Sequence, residues 1–293
     1  AILCEEGAVA GGDIRGSATG TEEWGLLDPG HVTDKIHAVV FAGGSAFGLE
    51  AASGVRRALA QKGTGFKTVG GVVPLVPAAI LYDLNLAKPG IHPAREMGEQ
   101  AVKAATAGPV AEGAVGAGTG ATVGKLNGLQ NAMKGGIGSW TVELEGRYKG
   151  VLVSALAAVN AVGDIRDPAS GKIIAGARVA PNSMEFADGA RLMKGGTPSG
   201  FTRGNTTLVC VATNAKLDKI QATKVAQLAH LGMARAIHPV NTMSDGDLVV
   251  ALSLGSASAP VDSIGVAAAE AVAEAILRAV KLAPSLGGLP GLH

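Results

Sequence analysis

Four places in this 293-residue sequence carry residue types and spacings that can do chemistry. The first is Gly204-Asn205-Thr206-Thr207, which runs straight into Leu208-Val209-Cys210-Val211-Ala212. An apolar run without polar alternation indicates a strand covered on both faces, in the middle of a sheet. A hydroxyl at the mouth of such a strand is held rigidly, which suits a nucleophile, although the same residues also fit a plain turn or cap. The second place is Gly116-Ala117-Gly118-Thr119-Gly120-Ala121-Thr122-Val123-Gly124-Lys125. It fits G-x-G-x-x-A, yet it fails as a Walker loop because Thr119 stands at the first glycine position and Leu126 follows the lysine. It also lacks the strand–turn–helix context and the acidic residue of a dinucleotide fingerprint, so it reads as a close-packed turn that presents Lys125. The third is Asp245-Gly246-Asp247 ahead of another apolar run. These two carboxylates fit a polar strand entry, a cation site without its other ligands, or a pair that orients a nearby nucleophile. The fourth is Asn160, which is polar where strand periodicity expects core. It is either a hydrogen-bonded buried amide or a donor aimed at an oxyanion.

Other chemistries find no support in the pattern. The histidines (His31, His37, His92, His230, His238 and His293) show no metal-ligand spacing, and no Cys–His cluster accompanies them. No G-x-S-x-G elbow occurs, and the nearest stretch, Gly43-Gly44-Ser45-Ala46-Phe47-Gly48, offers its serine as a helix cap. No metal or cofactor is therefore expected. A net charge of +1 without a basic run argues against nucleic acid or an anionic membrane surface as a partner. Pro74 and Pro77 break one apolar stretch, and Glu270, Glu274, Arg278 and Lys281 interrupt another, so neither reads as a membrane span. Residues 1–6 carry no basic and then apolar leader, and Cys4 and Cys210 read as buried free thiols of a reducing compartment. A single disulfide between them is the other reading. The expected location is the cytoplasm.

The elements that must position these residues follow from the same pattern. Hydrophobic residues make up 47% of the chain but aromatics only 3%, so the core must be built from Ala, Val, Leu and Ile on closely approaching backbones. No repeat or linker divides the chain, and one domain over residues 1–293 is expected. Residues 35–42 read as a strand, 45–62 as a helix capped by Ser45, and 95–107 as a second helix entered through Pro93. Strands follow at 139–144 and 151–159. Residues 163–203, with Asp167-Pro168 and Thr197-Pro198-Ser199-Gly200, read as a long, mostly irregular excursion of the kind that is functional, mobile or cut. Asp218 then caps a helix to 236 with Ile220, Leu228 and Leu231 on its packed side, before a strand at 248–254 and a helix at 263–282. The expected class is mixed α and β, with sheets between helices.

With the residues in hand, a resemblance emerges. Gly204-Asn205-Thr206-Thr207 together with Val211-Ala212-Thr213-Asn214 is similar to the processing motif of the aminopeptidase/β-peptidyl aminopeptidase family, which includes L-aminopeptidase/D-esterases and nylon-oligomer (6-aminohexanoate oligomer) hydrolases. Val40-Phe41-Ala42-Gly43-Gly44-Ser45-Ala46-Phe47-Gly48-Leu49, Val73-Pro74-Leu75-Val76-Pro77-Ala78, Lys134-Gly135-Gly136-Ile137-Gly138 and Thr242-Met243-Ser244-Asp245-Gly246-Asp247 resemble that family in the same order. The resemblance implies an α+β fold, a four-layer α/β/β/α sandwich of the N-terminal-nucleophile-hydrolase type. It implies autocleavage between Asn205 and Thr206 into chains 1–205 and 206–293, with Thr206 as nucleophile. It is closest to the nylon-oligomer hydrolase branch, whose helpers fall on Lys125, Asn160, Asp245 and Asp247. The aminopeptidase branch has a serine where Asp245 stands and a tyrosine near the glycine-rich loop, and no tyrosine lies near Lys125 in the sequence. Family likeness further implies a small peptide-like substrate and a homo-oligomer, a tetramer or larger.

This chemistry is coherent. A threonine freed at a new N-terminus has an α-amine of pKa about 7.7–8.0, able to act as its own base. Lys125 beside that amine would keep more of it neutral, Asp245 and Asp247 would hold the ammonium formed after proton transfer, and Asn160 would donate to the oxyanion. Two rival functions keep the same scaffold: acyl transfer to an amine, as in the similar ornithine acetyltransferases, and a non-catalytic member that is never processed.

Overall fold

The computed structural model describes residues 1–86, 88–196 and 204–293. In chain order the elements are β1 (Ile2–Ile14), β2 (Gly20–Glu22), β3 (Lys35–Ala42), α1 (Glu50–Gln61), the hairpin β4 (Phe66–Thr68) and β5 (Gly71–Val73), β6 (Ala78–Ile80) and α2 (Arg95–Ala104). Then come β7 (Thr122–Val123), β8 (Met133–Lys134), β9 (Gly136–Glu143), β10 (Leu152–Asn160), β11 (Asp164–Arg166), β12 (Ile173–Ala175) and α3 (Gly189–Lys194). The chain ends with β13 (Thr206–Ala215), α4 (Lys219–Ala236), β14 (Ile237–His238), β15 (Leu248–Ala257) and α5 (Val261–Lys281).

Eight strands hydrogen-bond in the order β2-β6-β3-β1-β15-β13-β10-β9. β1 joins the two halves: its Ile2 and Leu3 pair with β3, its register shifts before Ala8, and residues Val9 to Ile14 pair with β15. The halves face each other across an apolar layer in which Leu208, Cys210, Leu248 and Val250 meet Ile36, Val39 and Ala79. On the outer face of one half, Val209, Val211 and Val249 pack under α4 and α5. On the outer face of the other, Ala38, Val40 and Ala78 pack under α1 and α2. The result is the expected four-layer α/β/β/α arrangement. β13 shows why its apolar run has no alternation, since successive side chains enter the two different cores. Cys4 and Cys210 are free and buried in the layer between the sheets. Among the described residues no helix is long and apolar enough to cross a membrane.

Several sequence expectations needed correction. The helix expected from residue 45 begins as a short 3-10 turn, Ser45–Leu49, with Ser45 itself at φ 54 and no capping side chain, and becomes α-helical only at Glu50. In α4 the expected packed side is wrong: Ile220 and Leu231 are exposed, and the buried face is Ala222, Val225, Ala226, Ala229 and Met233. Small side chains let α4 lie close against α5, so alanines rather than the larger residues mark the core face. Within the excursion, residues 163–196 are more ordered than their composition suggests. They carry β11, β12 and α3, and a buried carboxylate explains the order: Asp164 accepts from the N–H groups of Ala177 (2.8 Å) and Gly189 (2.6 Å). Thr197-Pro198-Ser199-Gly200 lies outside the described residues.

Candidate active site

Three strand ends converge at one edge of the sandwich. β10 runs antiparallel to β13 with Asn160 opposite Thr206, so the last residue of one strand meets the first of the other. β15 runs parallel to β13, with Leu208 beside Leu248. The residues just ahead of both strands therefore lie side by side, and Asn205 bridges to Asp245. Lys125 arrives on a 3-10 turn, Lys125–Asn127, strapped across the end of β10 by Gly124 N–H to Gly163 O (3.0 Å) and Lys125 N–H to Val162 O (3.1 Å). Gly124 makes this strap possible. It sits at φ +71, and a Cβ there would lie 2.0 Å from the carbonyl carbon of Gly176.

Thr206, Lys125, Asn160, Asp245 and Asp247 are thus all brought together, and each is no more than 3% exposed. The Thr206 hydroxyl donates to the carbonyl oxygen of Asn205 at 2.5 Å, across the bond expected to be cut. The same carbonyl accepts the Gly246 N–H at 2.7 Å. Asp247 accepts from the N–H groups of Thr207 (2.6 Å) and Asn241 (2.9 Å). Asp245 accepts from Thr242 Oγ1 (2.6 Å), Thr242 N–H (3.1 Å) and Val162 N–H (3.3 Å). Lys125 Nζ spends its three donors on Asn160 Oδ1 (2.8 Å), Asn160 O (2.9 Å) and Thr122 O (3.1 Å). Asn160 Oδ1 also accepts from Thr122 N–H (3.0 Å), which fixes the amide orientation and sends Nδ2 to the carbonyl of Tyr82 (2.9 Å). The donors on the Asn205 carbonyl are the Thr206 hydroxyl and the Gly246 backbone, and Asn160 is not one of them.

Burial sets the protonation states. Loss of hydration pulls the Lys125 ammonium down to about 7 despite the opposing pull of Asp245 and Asp247. Burial, and then the charge of Asp245, pushes Asp247 up to about 7, and burial also raises Asp245. A lysine that has a substantial neutral fraction near neutral pH can take a proton from a hydroxyl, which an exposed lysine cannot.

Sequence reasoning missed Tyr82 and Gly246. No tyrosine is near Lys125 in sequence, but in the fold Tyr82 accepts from Asn160, and its ring lies so close to Gly204 that a Cβ there would come within 2.7 Å. Nothing in the residue pattern around Tyr82 announces this. Gly246 sits inside a motif already noticed, but its contribution is a backbone N–H and missing bulk, neither of which has a side-chain signature.

The profile of peptidase family S58 matches residues 1–293. An uncharacterized aminopeptidase of Mycobacterium leprae is 37% identical, covering 99% of this chain and 83% of its own. A 6-aminohexanoate-oligomer endohydrolase of a Kocuria species is 29% identical over 94% of this chain and 78% of its own. Among solved structures, a Burkholderia beta-aminopeptidase superposes with a TM-score of 0.68 at 24% identity, covering 98% of this chain and 79% of that one. An L-aminopeptidase D-Ala-esterase/amidase from Ochrobactrum anthropi, a variant of the Ntn hydrolase fold, gives 0.65 at 19% identity over 94% and 74% of the two chains. At those identities the two structures speak to the fold, which is of the same Ntn-hydrolase type. The match along the whole chain settles the family: this protein belongs to peptidase family S58.

Proposed function

We propose that this amide hydrolase cuts its own chain between Asn205 and Thr206 and then turns over peptide or peptide-like amides, β-peptides or 6-aminohexanoate oligomers among them, through an acyl-Thr206 ester. The observation that carries the reading is the Thr206 hydroxyl held 2.5 Å from the Asn205 carbonyl oxygen while Gly246 N–H holds that oxygen at 2.7 Å. Thr206 Oγ1 adds to the Asn205 carbonyl carbon and its proton passes to Lys125, which in its neutral form gives up one of its three donations and turns a lone pair to the hydroxyl. Negative charge on the carbonyl oxygen is met by the Gly246 N–H, a kind of donor whose removal elsewhere costs about 2.7–4 kcal/mol. Collapse breaks the bond to the Thr206 nitrogen, which takes up the proton, and leaves an ester that water hydrolyses to the Asn205 carboxylate and a free Thr206.

In the processed enzyme the same hydroxyl attacks substrate. The new α-amine and Lys125 share the base role, Asp247 and Asp245 hold the positive charge that results, and Asn160 keeps Lys125 in place. The Asn205 carbonyl leaves the Gly246 N–H on cleavage, which frees that donor for the substrate's oxyanion. We further propose that copies of the chain associate into a homo-oligomer, with the exposed apolar side chains of Phe66, Val69 and Val73 on the β4–β5 hairpin as a surface that association would cover. The two free thiols fit a reducing location such as the cytoplasm.

The test is mass spectrometry of the purified protein with amide turnover measured alongside. Fragments 1–205 and 206–293 are expected from the native sequence, and one intact, inactive chain from Thr206→Ala. Hydrolysis at the native rate by Thr206→Ala would overturn the proposal.

A further inference from the structure

A cavity of about 420 Å³ has in its lining a carboxylate that the mechanism does not use, that of Asp83. The rest of its lining is mainly apolar, with Leu86, Ile91, Pro93, Met97 and Leu286 among it. Asp83 is held there by the Gly44 N–H, which donates to Oδ1 at 2.7 Å. The carboxylate is wedged between two backbones: a Cβ at Gly43 or at Gly120 would lie 2.4 or 2.3 Å from Oδ2. Among the described residues Oδ2 accepts no hydrogen bond, and no cation reaches within 4.0 Å of the carboxylate. The neighbouring buried lysine, Lys134, is committed to the carbonyls of Thr119 (2.9 Å) and Ala121 (2.7 Å). Lys88, also in the wall, has an exposed side chain. Burial raises the Asp83 pKa, which marks a carboxylate that lacks full compensation for its lost water.

The chain links this carboxylate to the residues around the reacting bond. Asp83 directly follows Tyr82, whose carbonyl takes the Asn160 amide and whose ring covers Gly204, two residues before Thr206. Asp83 is thus one residue away from the backbone that holds Asn160, the strand partner of Thr206. A partly desolvated carboxylate in the lining of an apolar cavity, with one oxygen that accepts no hydrogen bond among the described residues, fits a primary ammonium on a short aliphatic chain. A carboxylate or a neutral alkyl terminus would leave that oxygen unpaired.

We propose that Asp83 is a specificity-determining residue that receives the terminal ammonium of the substrate's acyl half, with the cavity walls taking its aliphatic chain. This rests on the acyl-Thr206 reading, and two measurements separate failure of the one from failure of the other. The first compares p-nitroanilides of 4-aminobutanoate and 6-aminohexanoate with those of pentanoate and heptanoate, in which a methyl replaces the ammonium. In the native enzyme kcat/KM should favour the charged member of each pair, and Asp83→Asn, which keeps an acceptor for Gly44, should cut that preference by about ten- to a hundredfold, chiefly through KM. An unchanged ratio would overturn the proposal.

The second measurement needs no turnover. Calorimetric binding of n-hexylammonium and of 1-hexanol is compared on the native protein, on unprocessed Thr206→Ala, and on Asp83→Asn. Binding of the ammonium but not the alcohol, lost only in Asp83→Asn, supports the assignment even if Thr206 proves not to be the nucleophile. Equal binding of both ligands by the native protein overturns it, and that comparison stands even if Asp83→Asn does not fold.

Discussion

Replacing Gly246 with alanine perturbs the reacting geometry while removing no functional group. The Gly246 backbone does not occupy the left-handed region that excludes a side chain, and its N–H remains free to hold the Asn205 carbonyl. The added Cβ, however, would lie 2.7 Å from Thr206 Oγ1 and 2.8 Å from the carbonyl oxygen of Ala18. Ordinary contact begins near 3.4 Å, and the Ala18 carbonyl blocks retreat on the other side because Ala18 N–H is itself bound to Asp245 O at 2.8 Å. The hydroxyl must then give way by about 0.7 Å, and with roughly a hundredfold lost per ångström of misplacement the cleavage rate should fall about twentyfold.

The assay is a time course of intact and cleaved chain by mass spectrometry after cell-free synthesis, with circular dichroism to check the fold. Cleavage of a folded Gly246→Ala chain at the native rate would refute the claim that the observed Thr206 position is the one that reacts. A matched Ala18→Gly change alongside Gly246→Ala leaves the Ala18 backbone where it is and should not restore the rate.

Lys125 has a folded pKa of about 7, below the ordinary lysine value of 10.5, so the stability it contributes is present above 10.5 and is lost as pH falls through about 7. Asp247 has a folded pKa of about 7, above the ordinary aspartate value of 3.8, so the stability it contributes is present below 3.8 and is lost as pH rises through about 7. Urea unfolding of the Thr206→Ala chain should therefore show a dip in stability near pH 7, with a slope of at most about 1.4 kcal/mol per pH unit from either group. Adding Lys125→Met should remove the alkaline side of the dip, and adding Asp247→Asn the acid side. Cleavage of the native chain should speed up as pH rises through about 7, where Lys125 loses its proton.

Away from the site, Asp218 caps α4 in a reciprocal box: it accepts from Gln221 N–H at 2.8 Å while Gln221 Oε1 accepts from Asp218 N–H at 3.0 Å. Asp218→Ala should cost about 1 kcal/mol in the same unfolding assay and leave the cleavage time course unchanged.

The sequence by itself determined the elements and the reactive inventory. The unbroken run from Leu208 to Ala212 identified a doubly covered strand because burial on both faces leaves no polar alternation to see. Asp218 announced α4 because a cap is a local hydrogen bond between residues three apart. Thr206, Lys125, Asn160, Asp245 and Asp247 stood out because each is a polar group at the edge of an apolar strand or a tight turn, and the structure gathers all five.

What only the tertiary structure decided is how far-apart backbones meet. The convergence of Asn160, Thr206 and Asp245 follows from β10 running antiparallel and β15 parallel to β13, and strand direction leaves no mark on residue pattern. Gly246 and Tyr82 act through an N–H and a carbonyl, groups that every residue but proline shares, so no residue type could signal them. The buried face of α4 follows its alanines and not its leucines, because close helix packing rewards the smaller side chain. Asp83 was one acid among 24 acidic residues until the fold put Gly43 and Gly120 against it and set it in the lining of a cavity. Chemistry that depends on side-chain type was written locally in this chain. Chemistry that depends on backbone groups and on enclosed space came into being only when the sheet halves closed on each other.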